Sequence, residues 1–230
     1  MRIGFARLLK IILSSFFIQT SWSFFSMQGL GFLFNLISGA KKDQRNQIMK
    51  THKEFFNTHP YMASYIIGAT LRAYDEEKKS LDEIKKFITI AQTSFASAGD
   101  LLFWRTIRPA LLLFSVILAL KTGVTGPLTF LIVYNIFHLY HRIQGIRDGY
   151  QLGADVIFIL RSKRFTMTQK IFEVCGAAFC GALISLISLQ VNYLAVIPLT
   201  LLFILLLMKR VSSVFIILAV LLLLIIIVMV

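Results

Sequence analysis

The last quarter of this 230-residue chain is almost free of charge. From Ile171 to Val230 the charged side chains are Glu173, Lys209 and Arg210, and the rest forms apolar runs that pause near Gln190. A helical run of about 20 apolar residues matches the hydrocarbon thickness of a bilayer. We therefore predict an integral membrane protein with about three C-terminal transmembrane helices, at Ile171–Leu189, Val191–Met208 and Val211–Val230.

Positive charge is concentrated between the apolar segments of the chain. The formal net charge is +13, and the C-terminal basic groups lie at Arg161–Lys170 and at Lys209–Arg210. Loops rich in Lys and Arg remain on the cytoplasmic side of membrane proteins. We therefore expect both groups to be cytoplasmic. Nucleic-acid binding is not indicated, because the chain has no soluble segment in which aromatic and basic residues alternate.

The first two-thirds of the chain has shorter and more polar segments. Ile11–Ala40 has no charge yet contains many Ser, Gln and Gly residues, which is typical of an interfacial helix followed by a broken or re-entrant segment. Met62–Leu71 is apolar but too short to span alone, Tyr74–Lys86 has a helical pattern, and Gly99–Leu120 and Gly126–Arg142 are imperfect spans.

These patterns predict an all-α membrane protein in two regions. Residues 1–160 form a translocation-like region with interfacial, short and broken helices, and residues 161–230 form the C-terminal transmembrane helices. Short hydrophobic segments interrupted by Gly or Pro are the best sequence indication of a transport site. We therefore look for the site in residues 1–160.

Several stretches, taken together, resemble the IID component of the mannose/fructose/sorbose-family phosphotransferase system. They are FFIQTSWSFFSMQGLGF (Phe16–Phe32), HKEFFNTHPY (His52–Tyr61), AGDLLFWRTIRP (Ala98–Pro109), GPLTFLIVYN (Gly126–Asn135) and GIRDGYQLGAD (Gly145–Asp155). They occur in the family's order and extend over nearly the whole chain.

The resemblance implies a multi-pass protein of the bacterial cytoplasmic (inner) membrane, in contact with lipid. It implies a hetero-oligomer in which a IIC membrane subunit and this chain together form the path of a hexose or hexose derivative. The pair moves the sugar by an elevator-like shift. A cytoplasmic IIA/IIB phosphocarrier then phosphorylates the sugar. No cofactor and no metal are expected. No catalytic residue of the chain's own is expected either, because IID is not itself phosphorylated.

The sequence departs from the family pattern in one stretch. The family has a loop rich in Gly and Pro before its Phe-Trp pair, whereas this chain has TSFASAGD, and Arg105 replaces a family glycine. Glycine permits close backbone approach, so Thr93 and Ser97 are expected to alter that loop, and Arg105 to occupy a tight place. A degenerate, non-transporting scaffold or sensory partner is therefore the alternative function.

Candidate sugar-binding residues are amides, hydroxyls, charged groups and aromatic rings within the resembling stretches. They are Gln19, Trp22, Gln28, Asn57, Thr58, His59, Asp100, Trp104, Thr106 and Arg108. Structural alternatives exist for most of them. Asn57 or Thr58 before Pro60 suits a helix N-cap, Asp100 has Arg105 and Arg108 nearby in sequence for an ion-pair network, and Trp104 suits an interfacial position.

The four histidines do not have the spacing of a recognised metal or phosphohistidine motif. His138, His141 and Arg142 recur at a spacing of three to four residues with Asn135, so they share one helical face. We interpret all four, His52, His59, His138 and His141, as polar or interfacial residues, with His59 also a candidate for sugar contact.

Overall fold

The computed structural model describes residues 3–76 and 79–188. The chain divides into two compact units, Met1–Phe179 and Cys180–Val230. The helices are α1 (Phe5–Ser15), α2 (Gly29–Gly39), α3 (Arg45–Thr51), α4 (Ala63–Asp75), α5 (Leu81–Gly99), a π-helix (Asp100–Ile107), α6 (Arg108–Thr122), α7 (Thr125–Leu152), a 3-10 helix (Gly153–Arg161) and α8 (Lys163–Ser188).

The prediction of an all-α fold is confirmed for the described residues, where β-structure is limited to two isolated bridges. The break predicted within Ile11–Ala40 is also confirmed, because α1 and α2 are separate short helices that pack against each other. Ser14 Oγ donates to Asn35 Oδ1 at 2.9 Å between them. This bond satisfies two buried polar groups at once.

Helix α4 is the centre of the bundle and packs mainly on α7. Its residues are almost all buried, with Ile66, Ile67 and Leu71 fully so. Close approach is possible because α7 presents Gly145 and Gly149, four residues apart, to α4. A Cβ at Gly145 would lie 2.9 Å from the Tyr65 ring, and one at Gly149 would lie 2.9 Å from the Ala69 backbone nitrogen. Small residues at this spacing allow the backbones of two helices to touch.

Asp75, at the end of α4, joins four segments of the bundle. Its carboxylate accepts hydrogen bonds from Arg7 at 2.5 Å, Tyr150 at 2.8 Å and Gln44 at 3.2 Å, and Lys41 Nζ lies 3.4 Å away. The Asp75 side chain is 2% exposed. A buried carboxylate is tolerated when it is paired in this way.

The helix predicted at Tyr74–Lys86 is wrong, because α4 ends at Asp75 and α5 begins at Leu81. Ser80 and Glu83 form a capping box there: Ser80 Oγ accepts from the Glu83 amide at 3.3 Å, and Glu83 Oε2 accepts from the Ser80 amide at 2.8 Å. This reciprocal pair starts a new helix.

The loop expected at TSFASAGD is also absent, since α5, the π-helix and α6 form one continuous helical run from Leu81 to Thr122. Thr93 and Ser94 donate their hydroxyls to the carbonyls four residues earlier, at 3.3 and 3.0 Å. From Thr93 to Ala98 the stretch has no Gly or Pro, so no chain-breaking residue interrupts the helix there. Arg105 is exposed, so the tight environment expected for it is wrong.

Two described helical runs, Leu81–Thr122 and Thr125–Leu186, are long and apolar enough to cross a membrane. The basic segment Arg161–Lys170, expected to be a loop, enters α8 at Lys163, and the break in the chain is the preceding 3-10 helix. The predicted span Ile171–Leu189 corresponds to the end of α8. The predicted spans Val191–Met208 and Val211–Val230 lie outside the described residues.

Candidate functional site

The segment from His52 to Met62 crosses the bundle between α3 and α4 and is held by the turn before α2. Met27 pairs with Phe56 in an isolated bridge, and the Gln28 amide nitrogen donates to the Phe56 carbonyl at 2.8 Å. Met27 has a φ of 50°, which is uncommon for a residue other than glycine. Such a constrained turn at the junction of two loops is a frequent mark of a functional region.

The Gln28 side chain fixes the backbone of Thr58 from both sides. Its Nε2 donates to the Thr58 carbonyl at 2.8 Å, and its Oε1 accepts from the Thr58 amide at 3.3 Å. Gln28 is buried, and both hydrogen bonds of its side-chain amide are made with the Thr58 backbone. The structure therefore brings two predicted site residues together, with Gln28 supporting the loop.

Replacing Gln28 by methionine is expected to lower the free energy of unfolding by about 1–3 kcal/mol, because it leaves the buried backbone groups of Thr58 unpaired. The measurement is thermal unfolding in mild detergent. Gln19→Met is the matched control, since Gln19 is exposed and its side chain bonds to no described residue. Equal melting temperatures for the two variants would contradict the supporting role of Gln28.

Asn57 and Thr58 are held to α5 by Gln92. Thr58 Oγ1 donates to the Gln92 carbonyl at 2.9 Å, and Gln92 Oε1 accepts from the Asn57 amide at 3.1 Å. The N-cap alternative for these residues is wrong, because Met62 is the N-cap of α4 and receives no side-chain cap. The Asn57 side chain is exposed and makes no hydrogen bond to a described residue, so its amide is available to a ligand.

His59 lies within a cluster of aromatic rings. It stacks on Phe103 at a centroid distance of 5.0 Å and lies 4.9 Å from Tyr61 and 5.1 Å from Trp104. Gly99 permits this packing, because a Cβ there would lie 2.5 Å from His59 Cγ. Two predicted site residues, His59 and Trp104, therefore meet, with Trp104 half-exposed.

Burial, helped by the positive charge of Arg142 and by His141, lowers the pKa of His59 to about 3. The imidazole is therefore neutral at physiological pH. Its Nε2 is buried and has no hydrogen-bond partner among the described residues. A neutral ring in this position offers an aromatic face and one unused polar atom.

The cluster continues onto α7 through Tyr61. His138 stacks on Tyr61 at 4.5 Å, and Tyr134 lies 6.2 Å from it. Arg142, also on this face, is buried; it donates to the Ser15 carbonyl and lies over the Tyr61 ring at 5.5 Å. The sequence interpretation missed Tyr61 and gave His138 no role. The spacing that places His138, His141 and Arg142 on one helical face was the available signal.

The π-helix at Asp100–Ile107 supplies Phe103 and Trp104. π-helical turns are rare and are frequently found at functional sites. Thr106, a predicted site residue, is buried and donates its hydroxyl to the Leu101 carbonyl at 2.7 Å. Within the described chain no ion pair joins Asp100 to Arg105 or Arg108, so the network suggested for these three does not form.

Among the described residues, the remaining predicted ones make no side-chain hydrogen bond or ring contact with this cluster. Gln19 and Trp22 lie exposed in the connection between α1 and α2, and Arg108 is exposed at the start of α6. Asp100 is half-buried. Gln28, Asn57 and Thr58 form one group, and His59 and Trp104 the other. The first group leads directly into the second along the chain.

A profile of the PTS system mannose/fructose/sorbose family IID component matches residues 3–196. The chain belongs to this family. Among relatives of this IID chain, the mannose-specific EIID component of Escherichia coli (strain K12) is 32% identical over 189 residues, which cover 76% of this chain and 65% of that protein. The fructose permease IID component of Bacillus subtilis (strain 168) is 30% identical, covering 76% and 67%.

This IID chain thus spans 65% of the length of the mannose-specific relative. A sorbose-specific EIID component of Lacticaseibacillus casei is 30% identical, covering 73% of this chain and 61% of that protein. The earlier resemblance to the IID family is confirmed, and the chain is a membrane protein of that family.

Two solved structures share the fold. One, described as the structure of a membrane protein, has a TM-score of 0.74 and covers 96% of this chain and 95% of its own. A chain in the cryoEM structure of the mannose transporter ManYZ with microcin E492 has a TM-score of 0.61, covering 96% and 94%. Both are 24% identical to this chain, so they establish the fold alone.

Proposed function

We propose that the chain is a subunit of a sugar-transporting phosphotransferase system. It forms the sugar path with a IIC-type membrane subunit, and a cytoplasmic phosphocarrier of the IIA/IIB type phosphorylates the sugar. The substrate class is a hexose such as mannose, fructose or sorbose. The protein lies in the bacterial cytoplasmic membrane with several spans. Membership of the IID family is the observation that carries the proposal.

The site of this function is the His59 cluster and the loop before it. Sugars are bound by aromatic faces together with side chains that donate and accept hydrogen bonds, and the cluster offers half-exposed Trp104 beside the exposed Asn57 amide. We assign direct contact to Asn57, His59 and Trp104, and positioning to Gln28, Thr58 and Thr106, whose polar groups are occupied by the chain itself. Gln19, Trp22, Asp100 and Arg108 remain candidates at the edge of the path.

The test is complementation of a strain that lacks its IID gene, with this chain and the IIC-type subunit from the same genome. Uptake of labelled mannose, fructose and sorbose is measured with and without an intact phosphocarrier. Uptake of one sugar that depends on all of these components supports the proposal. If the two subunits co-purify but no sugar is taken up, the scaffold function replaces it.

Asn57→Ala is expected to weaken sugar affinity about three- to tenfold, because one hydrogen bond to an uncharged partner contributes about 0.5–1.5 kcal/mol. Stability should be unchanged, since the Asn57 side chain bonds to no described residue. Uptake per assembled complex is measured beside a melting curve. Asn46→Ala, an exposed position on α3, is the control. Unchanged affinity for Asn57→Ala would remove this residue from the site.

The scaffold function is favoured by one observation, the continuous helix from Leu81 to Thr122 where the family has a Gly- and Pro-rich loop. Glycine substitutions at Thr93, Ser97 and Arg105 test it. Uptake that appears only in this triple variant would show that the unmodified chain does not transport.

A further inference from the structure

A polar cavity lies between α7, the 3-10 helix and α8, and His141, which lines it, also packs on Phe103 of the His59 cluster. Its volume is about 290 Å³. Its polar lining includes Tyr140, Gln144 and Asp148 from α7 and Arg164 and Thr168 from α8. None of the residues assigned above to sugar contact lines it. The proposed function therefore leaves this cavity without a role.

Opposite charges line this cavity without forming an ion pair, although the charge of Arg164 acts on the Asp148 carboxylate across it. The half-buried Asp148 carboxylate accepts a hydrogen bond from Gln144 Nε2 at 2.6 Å, within its own helix. Arg164 lies over the Tyr140 ring at 5.1 Å. Neither residue forms an ion pair within the described part of the chain. Charges in membrane segments are normally neutralised by a partner, so a ligand carrying both charges fits the lining.

An apolar stripe on α8 borders the same cavity. Arg164 and Thr168 are four residues apart and share one face of the helix. Helical geometry of 3.6 residues per turn places Met167, Ile171 and Val174 on the face next to them. These three side chains are 46%, 52% and 69% exposed. A charged cavity continuous with an exposed apolar stripe matches a molecule with a polar head and hydrocarbon tails.

The position of the cavity along the chain is consistent with binding of a phospholipid headgroup. The cavity lies at the start of α8, beside the basic residues Arg161, Lys163 and Lys170. Such residues are typical of the cytoplasmic interface of a membrane, where the headgroups lie. A free hexose has no charge to match Asp148 and Arg164, and it would leave the adjacent stripe uncovered.

We propose that this cavity binds the headgroup of an aminophospholipid, with its phosphate on Arg164, its primary ammonium on Asp148 and its acyl chains along Met167, Ile171 and Val174. The primary amine is specified because an ammonium group donates hydrogen bonds to a carboxylate. The quaternary ammonium of a choline lipid has no N–H, and a glycerol headgroup brings no positive charge to Asp148.

The test uses the full chain, purified in mild detergent with whatever membrane subunit accompanies it. After delipidation it is titrated with phosphatidylethanolamine, phosphatidylcholine and phosphatidylglycerol of identical acyl chains, and bound lipid is counted by native mass spectrometry. Phosphatidylethanolamine is expected to bind about tenfold more tightly than the others, which is the effect of one charge-assisted hydrogen bond. Equal binding of the three lipids would overturn the proposal.

Two substitutions locate the binding. Asp148→Asn should abolish the preference for ethanolamine over choline, and Arg164→Gln should weaken all three lipids about tenfold. The matched controls Asp155→Asn and Lys163→Gln alter exposed charges outside the lining and should leave binding unchanged. Arg164 is itself exposed, so its variant folds even if Asp148→Asn does not.

Other outcomes identify a different occupant. Lipid binding that falls equally in the control variants would mean a diffuse charge effect and would overturn the site. If Asp148→Asn leaves lipid preference intact but lowers hexose uptake, the cavity belongs to the sugar path. Failure of sugar uptake in the unmodified protein leaves the lipid titration interpretable, because the titration requires no transport.

Discussion

Replacing Gly149 by leucine is expected to leave no folded protein. A Cβ at Gly149 would overlap the Tyr65 carbonyl oxygen and lie 2.9 Å from the Ala69 nitrogen. These are backbone atoms of α4, so no side-chain rotation relieves the overlap. Because α4 is the buried centre of the bundle, separating it from α7 exposes most of the core.

The size of the effect follows from the usual cost of overpacking. Gly149→Ala adds one methyl group against backbone and should cost about 3 kcal/mol, the upper end of the range for inserted methylenes. Leucine adds three more carbons at the same point. Total stability of a domain is commonly about 5–15 kcal/mol, so the leucine variant should be recovered only as aggregate on size-exclusion chromatography.

Gly181→Ala is the control for Gly149→Ala. Gly181 lies in the exposed part of α8 and a Cβ there meets no atom within 4 Å. In a helix interior, alanine is favoured over glycine by about 0.5–1 kcal/mol, so this variant should melt at the same or a higher temperature. A Gly149→Ala variant that melts like Gly181→Ala would show that α4 and α7 do not touch at this point.

Helices of the bundle could be predicted where the hydrophobic pattern and the length of a segment were sufficient. Met62–Leu71 was predicted to be apolar and too short to span, and the structure makes it the buried helix α4. Its partner face was not predicted, although Gly145 and Gly149 were present in a resembling stretch. Glycine spacing reports close contact between helices only when the partner helix is known, and the sequence does not name the partner.

The predicted helix boundaries were wrong where they were taken from the family pattern rather than from the local sequence. TSFASAGD was expected to be an altered loop because relatives have one there. Ala, Phe and Ser continue a helix at small cost, and α5 does continue. The boundary at Ser80 was missed for a related reason. A helical pattern across Tyr74–Lys86 concealed the Ser80–Glu83 capping box that separates two helices.

The candidate site was partly predictable. Polar residues on uncharged backbone led to Gln28, Asn57 and Thr58, which the structure does connect. Which of their polar groups are exposed and which are taken up by internal hydrogen bonds could not be predicted. That depends on Gln92, which is distant in sequence and belongs to no motif. Aromatic stacking of Tyr61 on His138 likewise depends on how α7 crosses the loop, which no local pattern encodes.

Replacing Asp75 by alanine is expected to lower the free energy of unfolding by about 3–5 kcal/mol, the usual cost of removing one partner from a buried ion pair. The variant leaves Arg7 Nη1 and the Tyr150 hydroxyl without their acceptor. Thermal unfolding of the purified protein at neutral pH is the measurement. Asp43→Ala, at an exposed position, is the control and should change stability by less than about 0.5 kcal/mol.

The same carboxylate should make stability depend on pH. Burial alone would raise the pKa of Asp75, but hydrogen bonds from Arg7 and Tyr150 and the charge of Arg7 hold it below its ordinary value. A carboxyl whose pKa is lower in the folded state stabilises fully above its unfolded pKa, about 3.9 for Asp, and loses that contribution as pH falls through the folded value.

Asp75→Asn removes this titration while keeping the size of the side chain. The difference in melting temperature between the unmodified protein and Asp75→Asn should therefore be constant from pH 7 to about 5 and shrink below about pH 4, near the unfolded pKa of Asp. Other carboxyl groups titrate in both proteins, so the comparison cancels them. A difference that stays constant down to pH 3 would show that folding does not lower the pKa of Asp75.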